Sequence, residues 1–218
     1  MLYSSNRKLN LSGWLLNNNK SAFDSPLKLQ KFVLFYELFS KIDGDHAEFD
    51  HLRGWKKGPV FSNLWGDYTK DNAEFLVKCK EINDADNSDI DKDRVQLVDF
   101  IVSILNESEL SNLTHELNLW SAKKDRILSG EPQVNLDIED FNEGDINLLN
   151  TLRDLYPREI INSSKILPIG DYSILISHDD YNNLTEEHMD VLSEVVENGG
   201  LHNPVYVEID ENGVMDID

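Results

Sequence analysis

This sequence has little with which to staple a fold or cross a membrane. Its 218 residues hold one cysteine, Cys79. That excludes an internal disulfide framework and a cysteine-based metal cluster, and it fits a reducing cytoplasm. No apolar run approaches the roughly 18 residues that a spanning helix needs, so no membrane partner is expected. The opening MLYSSNRKLNLSGWLLNNNK lacks the continuous apolar centre of a secretion signal, and a cytoplasmic location is the expectation. There is no glycine-rich phosphate loop, dinucleotide fingerprint or nucleophile elbow, so no cofactor is expected.

Candidate chemistry is equally sparse. The six histidines (46, 51, 115, 178, 188 and 202) are scattered. His46 and His51, beside Asp45, Glu48 and Asp50, come nearest to a ligand set, but their spacing fits no metal site. The acidic stretch DADNSDIDKDR, residues 84–94, invites a calcium loop. Such a loop needs glycine at its sixth position and glutamate at its twelfth; Asp89 and Val95 stand there instead. An acidic linker leading into a helix is the better reading. Paired carboxylates carry no information in so acidic a chain, and the protein is expected not to be an enzyme.

Positive charge is scarce and unevenly placed. Residues 1–70 carry 10 Lys+Arg against 7 Asp+Glu, whereas residues 71–218 carry 10 against 34; the formal net charge is −21. From Gly170 onward there are 13 acidic residues and no lysine or arginine. Direct binding to nucleic-acid phosphates is therefore not expected. The acidity serves either solubility or the attraction of a basic partner.

Hydrophobic patterning describes a mainly α, α+β protein. Residues 26–40 form a helix with apolar side chains around most of its circumference, capped by Ser25 with Pro26 at its first position. Such a helix belongs inside a bundle. Within residues 3–20, Leu11, Trp14 and Leu15 fit one face of a short helix that the asparagine run 17–19 ends, and Gly58-Pro59-Val60 reads as a rigid corner after Trp55. Phe61, Leu64, Trp65 and Tyr68 share one face of a further helix. Residues 71–80 fit a helix or a short strand. Residues 92–105 and a helix capped by Ser108 read as an antiparallel pair. Residues 134–138 alternate like a brief strand or an extended connector, and a helix over 144–156 stops at Pro157. These elements make a helical domain over residues 1–160. The tail reads strand, helix, strand over 172–176, 185–196 and 204–209, an acidic α/β appendage (161–218) too small for a secure core, which should pack on the body.

Three segments carry a resemblance. KLQKFVLFY (residues 28–36), Trp55 with Gly58-Pro59-Val60, and LTHELNLW (residues 113–120) stand in the order and spacing of the Panacea family, the domain of SocA-like antitoxins. The chain resembles that family over about residues 25–128. It departs from it at Leu119, where the family often has proline, and in an acidic insertion over residues 83–93. The resemblance implies an antitoxin that neutralises a cognate protein toxin, expected to be basic, by direct binding. The alternative is an acidic decoy, of the kind a phage encodes, that occupies a nucleic-acid-binding protein by charge mimicry. Candidate partner-binding residues are Trp55, Lys56, Lys57, His115 and Trp120. Trp55 and Trp65 read first as core residues, Trp120 equally as core or as anchor, and His115 as a brace for helix ends.

Overall fold

The computed structural model describes residues 1–85 and 89–218. The acidic stretch read above as a failed calcium loop falls partly outside the described residues. The fold is mainly α with two small sheets. No helix among the described residues is long and apolar enough to cross a membrane.

The chain opens with α1 (Asn6–Asn18), whose N-cap Ser5 accepts from the Lys8 N–H, and the short α2 (Lys20–Asp24). The central α3 (Pro26–Ile42) starts as expected, with the Ser25 hydroxyl accepting from Lys28 N–H and proline in the first turn. Every residue of α3 from 29 to 40 is buried, Leu34 and Phe35 completely. Four of those buried residues are polar or charged: Gln30, Lys31, Glu37 and Ser40. A buried polar group without a partner costs several kcal/mol, roughly, so each needs one. Glu37 takes a 2.7 Å bond from Arg7 Nε and a 3.1 Å bond from Glu48 N–H.

The sequence expectation of a corner at Gly58-Pro59-Val60 needs correction. These residues open β2 (Gly58–Phe61), the second strand of a hairpin with β1 (Leu52–Trp55). Pro59 is tolerated because β2 is an edge strand, where one missing N–H breaks no ladder on the outer side. The helices α4 (Ser62–Lys70) and α5 (Asn72–Ala85) follow, which settles residues 71–80 as helical.

Next come α6 (Lys92–Ile104) and α7 (Glu107–Glu116). The cap of α7 is Asn106, in a capping box with Glu109, and not Ser108. These two helices pack on α3 rather than on each other as an isolated hairpin. The short α8 (Asn118–Ser121) and α9 (Lys124–Leu128) lead to β3 (Val134–Asn135), which adds to the free edge of β1. The body ends with α10 (Glu143–Leu155) and α11 (Arg158–Ser163), separated at Pro157.

The tail contains the expected strand, helix and strand, and adds two further strands that complete a four-stranded sheet and a short second helix. Its strands are β4 (Ser164–Ile169), β5 (Tyr172–Ser177), β6 (Val205–Ile209) and β7 (Met215–Ile217), in that spatial order. β5 and β6 run parallel, and α12 (His178–Asn182) and α13 (Glu186–Asn198) make the crossover between them. Successive strand side chains point to opposite faces. Thus Leu175 joins the core of the body, while Ile174 and Ile176 cluster with Leu192 of α13 and with Val205 and Val207.

Candidate functional site

The three resembling segments, far apart in sequence, meet at the β1–β2 hairpin. From α3, Gln30 uses both ends of its amide on Phe61: Oε1 accepts from the N–H at 2.8 Å, and Nε2 donates to the carbonyl at 3.5 Å. From the next residue, Lys31, Nζ donates to the Pro59 carbonyl at 3.2 Å. That carbonyl and the Phe61 N–H belong to an edge strand, so polar side chains in an otherwise apolar helix complete what the sheet leaves open.

The turn itself is Lys56-Lys57, and the positive φ of the hairpin (+97°) falls on Gly58. The left-handed backbone of Gly58 closes the turn, and the register then runs without interruption from Trp55–Gly58 to Leu52–Phe61. Gly58 is required twice over, because a Cβ there would also collide with Lys31 Nζ and Thr114 Oγ1. Thr114 is buried in α7 and turns its hydroxyl back to the Leu110 and Ser111 carbonyls.

The segment 113–120 holds the same hairpin from behind. Trp120 Nε1 donates to the Trp55 carbonyl at 3.0 Å. The His115 ring stacks on Trp120, centroids 4.0 Å apart, and hydrogen-bonds the Lys56 backbone. Burial, with the nearby Lys31 charge, holds the His115 imidazole below its ordinary pKa. Its Nε2 is buried without a hydrogen-bond partner among the described residues. Leu119, at the position where the resembling family often has proline, uses the N–H that proline would lack: it donates to Asp145 Oδ2 at 3.1 Å. Asp145 Oδ1 accepts from the neighbouring Asn118 N–H.

On the outer side Trp55 and Trp65 meet edge to face, centroids 5.2 Å apart at 68°. Together with Pro26, Leu27 and Val60 they wall a cleft of about 340 Å³; Lys31, Lys56, Lys57, Gln30 and Glu107 complete its lining. A hollow of about 730 Å³ between α2 and the β4–β5 hairpin is larger, but hydroxyl and amide side chains supply half of its lining. Lys31 is 1% exposed, and loss of water pushes its ammonium pKa down to about 7.

The five sequence candidates therefore do come together, with their roles redistributed. Lys56 and Lys57 are exposed at the turn, and Trp55 is half-buried. The core expectation for Trp55 and Trp65 is corrected, because both are half-buried and line the cleft. Trp120, open between core and anchor, is 2% exposed and lies behind the hairpin. His115 braces the Lys56 backbone, not helix ends. Sequence reasoning passed over Gln30, Lys31 and Thr114. The signal was present: polar side chains on faces that the apolar pattern buries must find buried partners.

Elsewhere, no group of three His, Cys, Asp or Glu that could hold a metal occurs among the described residues. His46 is engaged with Glu48 at 3.7 Å, and His51 sits at φ +65° in the turn before β1. Cys79 is buried, and desolvation pushes its thiol up to about 12, far from a reactive thiolate. Against protein-family models, curated proteins and solved structures, the chain finds no match.

Proposed function

We propose that this chain is an antitoxin that neutralises a protein toxin by binding it through the hairpin face, without catalytic turnover. One observation carries the reading: a half-buried tryptophan pair lines an apolar cleft, and buried side chains hold its hairpin from behind. Aromatic anchors on a rigid element are what protein interfaces use, because little freedom is lost when the partner docks. The resemblance of the same three segments to SocA-like antitoxins supports this reading, since the braces and the presented residues both come from them.

The test is co-expression with the reading frame that neighbours this one in its genome. That frame should be toxic alone and tolerated with the intact chain. The double variant Trp55→Ala, Trp65→Ala should fold and fail to protect. Full protection by that variant would remove the hairpin face from the mechanism.

A second reading has its own support. Glu187, Asp190, Glu194 and Glu197 are exposed at spacings of three, four and three along α13, a row of charge of the kind a nucleic-acid decoy displays. Under that reading neutralising the row abolishes binding, and affinity collapses with salt. The hairpin face would then be dispensable.

A further inference from the structure

We infer that the hairpin cleft accepts an acidic–apolar segment of a protein partner, one bulky apolar side chain entering the cleft against the Trp55–Trp65 pair while flanking carboxylates meet Lys56 and Lys57. The inference rests on the antitoxin reading and names the chemistry of what docks there. Three observations lead to it.

The first is local charge. In a chain of net charge −21, the turn presents two adjacent exposed lysines, and neither enters an ion pair among the described residues. Lys124, also exposed, is close enough for its charge to act on His115. Glu107 is the one carboxylate lining the cleft, and its Oε1 accepts the Ser25 hydroxyl at 2.6 Å. A basic segment is repelled here; an acidic one is drawn in.

The second is shape and lining. A volume of about 340 Å³ walled by two indoles, a proline, a leucine and a valine suits one large apolar side chain. Lys31 reaches this lining while its Nζ is committed to the Pro59 carbonyl, so the charged contacts fall to the turn.

The third is rigidity. The Trp55 carbonyl and the Lys56 backbone are both held from behind, by Trp120 and His115. Lys56 and Lys57 thus stand on a fixed main chain, and ordering the turn costs the complex little. The partner so defined is two-faced: an acidic–apolar element for the cleft on a body that tolerates this chain's acidic surface. A second copy of the chain fits poorly, because two bodies of charge −21 repel.

The test uses the purified full chain and three fluorescent, end-blocked heptapeptides, read by anisotropy. One has phenylalanine between two pairs of aspartates, one has alanine at the centre, and one has lysines for the aspartates. The aspartate–phenylalanine peptide should bind at least about tenfold tighter than either of the others. It should lose about tenfold on Lys56→Glu, Lys57→Glu, the sum of two surface ion pairs. That variant should keep the wild-type melting temperature, since neither lysine makes an internal ion pair. Trp65→Ala should weaken binding at unchanged charge.

Equal or tighter binding of the lysine peptide overturns the proposal, and so does indifference to the lysine reversal or no binding at millimolar peptide. A stable dimer in light scattering that Trp65→Ala dissociates also overturns it, in favour of self-association. Failure here stays separable from failure of the antitoxin reading. If protection is lost on Trp55→Ala, Trp65→Ala yet survives Lys56→Glu, Lys57→Glu, the face is right and the partner chemistry wrong.

Discussion

The central helix and the tail sheet meet the same requirement, hiding apolar side chains, with very different amounts of material. α3 is buried over residues 29–40, and the core around it takes in both ends of the body. α13 has one buried residue, Leu192, and the sheet it covers adds four more to a cluster of its own. The tail is joined to the body by Leu175 of β5, by the partly buried Ile166 of β4, and by a few polar bonds. Ser173 Oγ donates to the Ser103 carbonyl at 3.0 Å, and Asn203 Nδ2 donates to Glu109 at 3.0 Å. The lesson is that stability and charge are distributed in opposite senses. The body has the core and can carry costly buried ions, while the tail has a thin core and a surface of carboxylates. Local openings follow such differences in apolar packing.

The largest expected effect lies at the centre of the body. Leu34→Asp puts a carboxylate at a position with no exposure, where it either stays ionised at a cost of several kcal/mol, roughly, or takes up a proton. The variant should show no cooperative melting by circular dichroism. A soluble, cooperatively unfolding protein would mean that the centre is far more forgiving than its packing implies.

Next in size is a gain. Lys31 is buried with its pKa pushed down to about 7 from an ordinary 10.5, so the folded state prefers the neutral amine. As pH falls from 10.5 towards 7, the unfolded chain binds the proton first and the native state loses stability. Below 7 both states are protonated and the loss is complete. Lys31→Met should therefore stabilise the protein at pH 7 by up to about 5 kcal/mol, less about 1 kcal/mol for the lost bond to Pro59. The gap between variant and wild type should close near pH 10.5. Urea unfolding at the two pH values measures it, and a gap independent of pH would show that Lys31 is not held neutral. The price of keeping this amine falls on the body, which has stability to spare.

How much of this was legible in the sequence follows the same division. The all-round apolar face of residues 26–40 has one physical solution, burial, and Ser25-Pro26 fixes where the helix starts. The hairpin was not legible, because glycine and proline mark a turn without saying whether strands flank it; that depended on β3, about 80 residues away in the chain. The cap of α7 went to Asn106 because Glu109 lies three residues on and completes the box, a pattern available in the sequence. In the tail, β4 contains Pro168 and β7 has three residues, so neither has the alternation that revealed β5 and β6. At the site, the candidate residues were identified, but Trp55 and Trp65 were expected in the core and Trp120 was left open between core and anchor. Whether a tryptophan faces water depends on which side of the hairpin α7 and α8 occupy, and periodicity carries no such information.

A smaller effect separates the two cores. Leu192→Ala removes the one buried side chain of α13 and should cost about 2–5 kcal/mol, drawn from the tail alone. Hydrogen exchange should quicken in β5 and β6 while amides of α3 keep their protection. Leu175→Ala, on the face that joins the body, should quicken exchange in α6 as well. If Leu192→Ala loosens α3 equally, body and tail unfold as one unit and the contrast drawn above is lost.

The smallest effect concerns charge rather than packing. Glu187, Asp190, Glu194 and Glu197 are exposed on α13, opposite the face that meets the sheet, and no salt bridge among the described residues involves them. Replacing the four by Gln and Asn should leave the melting temperature within a few degrees. Exposed charges act over about 8–10 Å at physiological salt, so their contribution to a basic partner is steering, not grip. Association should slow only a few-fold at low salt, by roughly the same factor at any step before docking, and match wild type at high salt. Dissociation should not change, because the aromatic cleft governs it. Stopped-flow mixing with the neighbouring toxin at two salt concentrations reads both rates. A large rise in the dissociation rate would move the grip from the hairpin to the tail, and with it the weight from the antitoxin reading to the decoy.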